Sequence, residues 1–224
     1  MLVPGLPILG LLILIVKLTS RGPAIYRQVR VGRGGRHFTM YKFRSMSVNA
    51  ESKSGAVWAA TKDPRTTPVG RILRKLHLDE IPQLFNVLKG EMSLVGPRPE
   101  RPEFVELLSR EIPGYTDRLT VLPGITGLAQ INLPPDTDLN SVRRKLILDQ
   151  MYLHEMGLWM DLRLVACTTT RLIKMPSPIA VRLFGLYRKT PELVHAAIPI
   201  SLSDLFATSA TTAPEDFPVA SAVL

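Results

Sequence analysis

Cysteine is almost absent from this chain of 224 residues, and the one present, Cys167, has no second cysteine to pair with. A fold held together by internal disulfides is therefore excluded. Histidine is also rare, and the four histidines do not have the spacing of a zinc site. They are scattered along the chain at His37, His77, His154 and His195. The composition thus argues against a zinc enzyme.

No hydrophobic run is long enough to cross a bilayer. Residues 1–16 carry no charged side chain, but Lys17 ends the run. As a helix, residues 6–16 would rise about 17 Å, against a hydrocarbon core of about 30 Å. A secretory signal is a poor match, because no basic region precedes the apolar one. Two interpretations remain: a buried core helix, or a segment that enters the membrane without crossing it. We favour the second.

Positive charge is concentrated in the N-terminal third. From Lys17 to Lys75 there are fourteen Lys and Arg residues against two acids, whereas the rest of the chain has a small acidic excess. This block follows the apolar segment directly, where it would face anionic lipid headgroups. It also predicts an anionic partner, which could be a membrane, a nucleotide or a nucleic acid. A solvated basic face is the simpler alternative.

The first half of the chain reads as a hairpin, a loop and two helices. Residues 25–43 alternate with period two around a "GRGG" turn, which predicts a β-hairpin. The polar stretch 47–68 predicts a mobile loop. An amphipathic helix is expected over 69–78, with Ile72, Leu73 and Leu76 on its apolar side. A second helix is expected over 80–89, with Gly90 as its C-cap.

The second half is mainly helical. The segment "RPEFVELLSREIPG" predicts an acidic amphipathic helix, and "VLPGITGLAQIN" a glycine-punctuated loop or short strand. Residues 141–175 predict a helix capped by Ser141 and broken near Gly157, its second half suited to a membrane interface. From residue 176 onward we expect a poorly ordered tail with at most one short helix, near 181–188.

The stretch "LHLDEIPQLFNVLKGEMSLVGPRPE" places two acids side by side ahead of a proline. Proline is tolerated only in the first turn of a helix, so Pro82 places the helix start near Asp79. On this ground alone, Asp79 would be an ordinary cap that satisfies free N–H groups. Nearby basic residues favour a functional role instead. Arg74 precedes the acids by about one turn, and two prolines hold Arg98 in an extended segment.

Guanidinium groups bind phosphate oxygens, and a helix N-terminus also favours an anion. An aspartate held there could attack a phosphorus atom once cations had reduced the charge repulsion. A neighbouring glutamate pointing elsewhere could hold Mg²⁺, which prefers one or two carboxylates with phosphate oxygens. The pattern therefore indicates separate tasks for Asp79 and Glu80.

Four segments together resemble the bacterial sugar transferase family of monotopic polyprenyl-phosphate phosphoglycosyl transferases. They are "YKFRSM", "LDEIPQLFNVLKGEMSLVGPRP", "PGITGLAQIN" and "LDQMYLHEMGLWMDLRL". The likeness covers roughly residues 5–175. It implies a mixed, predominantly α fold with a small β-hairpin. It also implies a monotopic protein on the cytoplasmic face of the bacterial inner membrane, with a re-entrant N-terminal helix and interfacial amphipathic helices.

The resemblance further implies a two-step reaction. An aspartate matching Asp79 attacks the β-phosphate of a UDP-sugar, releases UMP and keeps a covalent sugar phosphate. Polyprenyl phosphate then takes this group, the first step of glycan assembly. Glu80 matches the family's Mg²⁺-binding glutamate, and Arg74 and Arg98 match its phosphate-binding arginines. Lys42 and Asp161 match polar motif positions that we expect to bind substrate.

Two departures from the family pattern concern the N-terminus and the segment after "AQIN". Little stands before the first prolines, so we expect that the re-entrant helix is truncated here or that more sequence lies upstream. "LPPDTD" replaces the family's usual glycine after "AQIN". The expected divisions are a membrane-inserted segment at 1–17, a cytoplasmic catalytic domain at 18–175 and a tail at 176–224.

Two other functions remain open. The basic segment contains interleaved aromatic residues, which would suit a nucleic-acid-binding protein. That reading leaves the apolar N-terminus and the Asp-Glu-Pro block unexplained, and we expect no nucleic-acid partner. A catalytically silent, membrane-associated assembly protein is the third candidate. The expected partners are UDP-sugar, polyprenyl phosphate and membrane lipids, and a homo-oligomer stays open.

Overall fold

The computed structural model describes residues 5–48, 50, 63–170 and 175–189. This part of the chain is mostly helical with two small sheets, which confirms the predicted fold class in its secondary structure. The helices are α1 Gly5–Thr19, α2 Pro68–Lys75, α3 Leu84–Leu88, α4 Pro102–Glu111, α5 Leu128–Asn132, α6 Leu139–Glu155, α7 Leu158–Thr169 and α8 Ser177–Leu183. The strands are β1 Ile25–Val31, β2 His37–Phe43, β3 Ser93–Val95 and β4 Gly124–Thr126. Short 3₁₀ helices cover Arg33–Gly35, Leu78–Gln83 and Tyr115–Leu119.

The predicted hairpin is confirmed. β1 and β2 pair antiparallel from Ile25 opposite Phe43 to Val31 opposite His37. The turn between them contains Gly34 at φ +67° and Gly35 at φ +77°, a left-handed conformation that favours glycine. The "GRGG" sequence is therefore a turn.

Helix α1 is apolar on all sides, but only one side of it is buried. Leu12 and Val16 are buried in a core that also contains Phe43 and Leu73. Its opposite side exposes Leu11, Leu14 and Leu18, which we call the α1 apolar stripe. The helix thus contributes to the core and also presents an apolar face outward. Among the described residues, no helix is both long enough and apolar enough to cross a bilayer.

Helix α2 differs in detail from its prediction. It begins at Pro68, one residue earlier than expected, because Thr67 caps it by accepting a hydrogen bond from the Gly70 N–H at 2.9 Å. Of the three residues expected on its apolar side, Leu73 is buried but Ile72 is 59% exposed. The helix also ends at Lys75, because His77 adopts a left-handed conformation at φ 55°.

The start of helix α6 corrects one predicted cap. Asp138 is the N-cap, and its side chain accepts from the backbone N–H of Ser141 at 2.7 Å. The Ser141 hydroxyl in turn accepts from the backbone N–H of Asp138 at 3.1 Å, so Ser141 is the third helical residue of a capping box rather than the cap. The predicted break near Gly157 is confirmed, since α6 ends at Glu155 and α7 begins at Leu158.

The largest core joins the C-terminal helices to the second sheet. β3 and β4 pair in parallel, and helix α5 follows β4 directly where a loop or short strand was expected. Buried residues of α5, α6 and α7 share this core with Val181 and Leu186. The helix predicted near 181–188 begins earlier, at Ser177, and belongs to the core. Residues 177–186 are thus integral to the fold.

Replacing Gly70 with alanine should destabilise the protein by about 2 kcal/mol, since a Cβ there would clash with the Ser45 carbonyl oxygen. Gly10 in α1 is the matched control, because a Cβ there meets nothing within 4 Å. Gly10→Ala should leave stability unchanged or raise it. Thermal unfolding of both variants checks the expectation. Equal melting temperatures would contradict the close approach of α2 to Ser45.

Candidate active site

The two adjacent acids lie in a 3₁₀ turn rather than at the start of an α-helix. His77 occupies the cap position, and the 3₁₀ helix Leu78–Gln83 carries Asp79, Glu80 and Pro82. The helix predicted over 80–89 is therefore two elements, this 3₁₀ turn and then α3. Gly90 follows α3 at φ +73°, as its predicted C-cap role requires. Asp79 is near the cap but is not the cap itself.

Glu80 is held by two cations from distant parts of the chain. Its Oε1 accepts from Lys42 Nζ on β2 at 3.0 Å and from Arg98 Nη2 at 2.6 Å. The side chains of Lys42 and Glu80 are largely buried, with 17% and 13% of their areas exposed. The structure thus brings Lys42, Glu80 and Arg98 together, in agreement with their assignment to one site.

Asp79 has a different environment from Glu80. The residue is 7% exposed, and its carboxylate accepts no hydrogen bond from the described residues. Its unpaired oxygens remain accessible to solvent. Asp79 therefore has free lone pairs, whereas one oxygen of Glu80 is fixed by two ion pairs.

The pKa values follow from this difference. Burial and then the adjacent Glu80 charge raise the pKa of Asp79, against the attraction of nearby cations. Burial alone would raise the pKa of Glu80, but Arg98 and Lys42 lower it well below its usual range. Burial also lowers the pKa of the Lys42 ammonium. Glu80 is therefore the more firmly ionised of the two acids.

Arg74 lies beside the acids without pairing with them directly. Its Nε donates to the Ser45 hydroxyl at 2.8 Å, and its Nη1 lies 3.5 Å from the Thr66 hydroxyl. The Arg74 charge is nevertheless close enough to lower the pKa of Asp79. No carboxylate among the described residues forms an ion pair with Arg74, so its charge remains available to an anion.

Arg98 is positioned by its backbone. The prolines on either side have no N–H, so this segment is fixed through its carbonyl groups. Four successive carbonyl oxygens, here called the Pro-Arg-Pro-Glu carbonyls, accept hydrogen bonds of 2.9–3.0 Å. The pairs are Gly124 N to Pro97 O, Arg118 Nη2 to Arg98 O, Arg30 Nη1 to Pro99 O and Val31 N to Glu100 O.

Arg118 is a supporting residue that the sequence did not reveal. It is 4% exposed, pairs with Asp149 at 2.8 Å and donates to the Tyr115 hydroxyl at 2.8 Å. Because its third contact is the Arg98 carbonyl, this buried arginine ties helix α6 to the segment that carries Arg98. Its motif, "YTDRL", contains no pattern that distinguishes it from a surface arginine.

Asn86 is a second residue that sequence reasoning missed. It is fully buried in α3, accepts from the Tyr41 N–H at 3.2 Å and donates to the Thr39 carbonyl at 2.7 Å. These bonds attach α3 to the strand that carries Lys42. Its polar side chain within the apolar run "LFNVL" was a signal that could have identified it.

The structure does not join Asp161 to this cluster. Asp161 lies in the first turn of α7, and its carboxylate accepts from the Tyr152 hydroxyl at 2.8 Å. Within the described ranges it forms no ion pair with Lys42, Arg74 or Arg98. Its predicted role in substrate binding remains a prediction.

The two carboxylates could hold a cation whose remaining ligands come from a substrate. Among the described residues, no three metal-binding side chains cluster. Asp79 and Glu80 alone could not enclose Mg²⁺, but one or two carboxylates suffice when phosphate oxygens and waters complete the shell. Both hydrogen bonds to Glu80 use Oε1, which leaves Oε2 for such a contact.

Comparisons with known proteins give a consistent result. The family model described as "Bacterial sugar transferase" matches residues 1–175. The chain is 46% identical over 159 residues to the UDP-N-acetylgalactosamine-undecaprenyl-phosphate N-acetylgalactosaminephosphotransferase of Aeromonas hydrophila. It is 43% identical over 175 residues to the undecaprenyl-phosphate glucose phosphotransferase of Komagataeibacter xylinus. It is also 43% identical over 169 residues to the UDP-glucose:undecaprenyl-phosphate glucose-1-phosphate transferase of Caulobacter vibrioides.

These matches cover different shares of the proteins compared. They include 71%, 75% and 75% of this chain but only 37%, 32% and 63% of the respective relatives. The chain therefore spans between about a third and two thirds of their length. The names of the relatives also differ in the sugar, so the likeness does not select one sugar for this chain.

Neutralising the two acids should change stability in opposite directions. Folding raises the pKa of Asp79. The contribution of Asp79 to the free energy of unfolding therefore falls as the pH rises from its unfolded-state pKa through its folded-state pKa, and the ionised group destabilises the fold at pH 7. Asp79→Asn should therefore leave the melting temperature unchanged or raise it. Glu80→Gln leaves Lys42 and Arg98 without their partner and should cost about 2 kcal/mol or more. Thermal unfolding of both variants at pH 7 checks these expectations. A clearly lower melting temperature for Asp79→Asn would contradict the finding that the Asp79 carboxylate is buried without a hydrogen-bond partner.

Proposed function

The chain belongs to the bacterial sugar transferase family, and we propose that it transfers a sugar 1-phosphate from a UDP-sugar to a polyprenyl phosphate. The observation that carries this proposal is the difference between the two adjacent acids. Glu80 is fixed by Lys42 and Arg98, whereas Asp79 has free lone pairs next to those cations. Such a site suits a nucleophile that must approach a negatively charged phosphate. The named activities of the relatives support the same substrate classes.

In the first step, an oxygen of the Asp79 carboxylate attacks the β-phosphorus of the UDP-sugar. The bond from that phosphorus to the bridging oxygen breaks, and UMP leaves with the electron pair. Arg74 and Arg98 bind phosphate oxygens and offset the charge that would otherwise repel the carboxylate. The enzyme retains the sugar phosphate as an acyl phosphate on Asp79.

In the second step, a phosphate oxygen of polyprenyl phosphate attacks the same phosphorus. The bond to Asp79 breaks and the carboxylate re-forms, which yields a polyprenyl diphosphate-sugar. This product would begin the assembly of an exopolysaccharide, an O-antigen or a protein-linked glycan. The ionised carboxylate is regenerated without an external acid, base or oxidant.

Mg²⁺ is the cofactor that the donor set fits, with Glu80 as its protein ligand. When bound, it would reduce the negative charge of the diphosphate. Lys42 holds Glu80 in place from β2, and Arg98 does so from the Pro-Arg-Pro-Glu segment. These two residues therefore orient the carboxylate as well as binding substrate.

We also propose that the protein lies on the cytoplasmic face of the bacterial inner membrane without crossing it. The α1 apolar stripe provides one apolar surface. Helix α7 provides a second, where Leu158, Trp159 and Leu162 are each more than half exposed. An exposed tryptophan among leucines suits the membrane–water interface.

Asp79→Asn should lower the rate of UMP release by roughly 10³-fold or more, because the amide is not a nucleophile. Asp117→Asn is the matched control, since Asp117 is an exposed carboxylate outside the cluster. The assay combines the membrane-associated protein with candidate UDP-sugars, polyprenyl phosphate and Mg²⁺, and measures UMP. A covalent sugar-phosphate adduct should form in the wild type and be absent from Asp79→Asn. Wild-type UMP release by that variant would rule out Asp79 as nucleophile.

Glu80→Gln should raise the Mg²⁺ concentration needed for half-maximal UMP release by about tenfold or more. The control is Glu106→Gln, which removes an exposed carboxylate from α4. Both variants are titrated with Mg²⁺ below their melting temperatures, so that unfolding does not contribute. A Glu80→Gln titration curve that overlays the wild-type curve would show that Glu80 is not the metal ligand.

A further inference from the structure

Arg44 is a buried cation outside the cluster around Asp79. The residue is 7% exposed, and its Nη2 donates to the carbonyl and hydroxyl oxygens of Ser20, each at 2.7 Å. Its Nε and Nη1 atoms are sealed from solvent and have no hydrogen-bond partner among the described residues. Three N–H groups of one guanidinium are therefore unused.

Three other arginines, of which Arg118 is buried and Arg30 and Arg98 are half-buried, each pair with a carboxylate. Arg30 pairs with Glu100, Arg98 with Glu80 and Arg118 with Asp149. Arg44 forms no such ion pair with a described carboxylate, and burial lowers its pKa. A buried charge without a counter-ion is costly, so an anion would be stabilising there.

A structural role accounts for only part of the side chain. Ser20 follows the last residue of α1, so the Nη2 contacts cap the C-terminal end of that helix. This task uses one of the three guanidinium nitrogens. Gly22, at φ +107°, lies against the unused Nη1, where a Cβ would come within 2.5 Å of it. The same Cβ would lie 3.0 Å from the half-exposed Val48 side chain, so the glycine keeps the space beside this nitrogen free of a side chain at position 22.

The position of Arg44 indicates what the anion could be. It contacts Ser20 at the end of α1, two residues after the exposed Leu18 of the α1 apolar stripe. Exposed Lys17 and Arg21 flank the same end. Arg44 also follows Lys42 by two residues, about 7 Å along an extended chain. A phosphate carried on an apolar chain beside α1 would meet Arg44 at the edge of the candidate active site.

We infer that Arg44 binds the phosphate group of a membrane lipid at the C-terminal end of α1. The lipid is either the polyprenyl phosphate of the proposed reaction or an anionic phospholipid of the surrounding membrane. Only the first source rests on the proposed function. Approach of the phosphate displaces the Val48 side chain and gives the free N–H groups of Arg44 charged acceptors.

The test measures lipid binding to the full chain in detergent, without UDP-sugar. Thermal stabilisation is titrated with polyprenyl phosphate and with phosphatidylglycerol, and polyprenol serves as the phosphate-free probe. Arg44→Met keeps an unbranched, though shorter, side chain and removes the guanidinium charge. Arg33→Met is the matched control, since Arg33 is exposed in the hairpin turn.

Arg44→Met should weaken binding of one phosphate lipid at least tenfold, whereas Arg33→Met should bind as the wild type does. Loss confined to polyprenyl phosphate identifies the substrate as the ligand, and loss confined to phosphatidylglycerol identifies the membrane headgroup. Unchanged binding of both lipids would overturn the inference and leave Arg44 as a helix cap. An equal loss of polyprenol binding would also overturn it, because the apolar surface would then be responsible.

If Arg44→Met does not fold, Arg44→Lys provides the test. Lysine retains a charge and can still reach Ser20, but it lacks the additional N–H groups of the guanidinium. Its affinity for the phosphate lipid should fall at least threefold, and wild-type affinity would overturn the inference. Because no turnover is measured, a wild-type protein that releases no UMP refutes the proposed function and leaves this test valid.

Discussion

Four successive carbonyl groups hold the candidate active site in place. Prolines on both sides of Arg98 remove N–H groups from the segment, so hydrogen bonding through the carbonyls fixes its path. Their donors come from β1, β4 and the buried Arg118. Three regions that are distant in sequence therefore converge on one extended segment. Arg98 meets Glu80 at 2.6 Å because of this arrangement.

The same construction explains how two adjacent carboxylates acquire different properties. Neighbours in a tight turn point in different directions, and only Glu80 faces both Lys42 and Arg98. The charges of Arg98 and Lys42 keep Glu80 ionised. Burial and the adjacent Glu80 charge raise the pKa of Asp79. A reactive carboxylate needs free lone pairs near cations, and a metal ligand needs a fixed orientation. The Asp79-Glu80 dipeptide suits both proposed roles, because Lys42 and Arg98 pair with Glu80 and not with Asp79.

Much of this arrangement could be predicted from short-range patterns. Period-two alternation identified the hairpin, Pro82 indicated that a helical element begins near Asp79, and Gly90 marked the end of α3. The 3₁₀ geometry could not be read in the same way, because His77 in a left-handed conformation has no sequence signature. Arg118 and Asn86 were missed for a related reason. Their importance comes from partners on other elements, and a single sequence does not show which elements will meet.

The packing of α1 has a consequence for how separable the parts of this protein are. Residues 1–17 differ from the rest in composition, which suggests an anchor that could be exchanged or removed. Yet Leu12 and Val16 fill the same core as Phe43, the neighbour of Lys42, and Leu73, the neighbour of Arg74. The change in composition near Lys17 is therefore not a boundary between modules. Helix α1 shares one core with the elements that carry Lys42 and Arg74, so an insertion or exchange in α1 reaches the residues next to the cations of the candidate site.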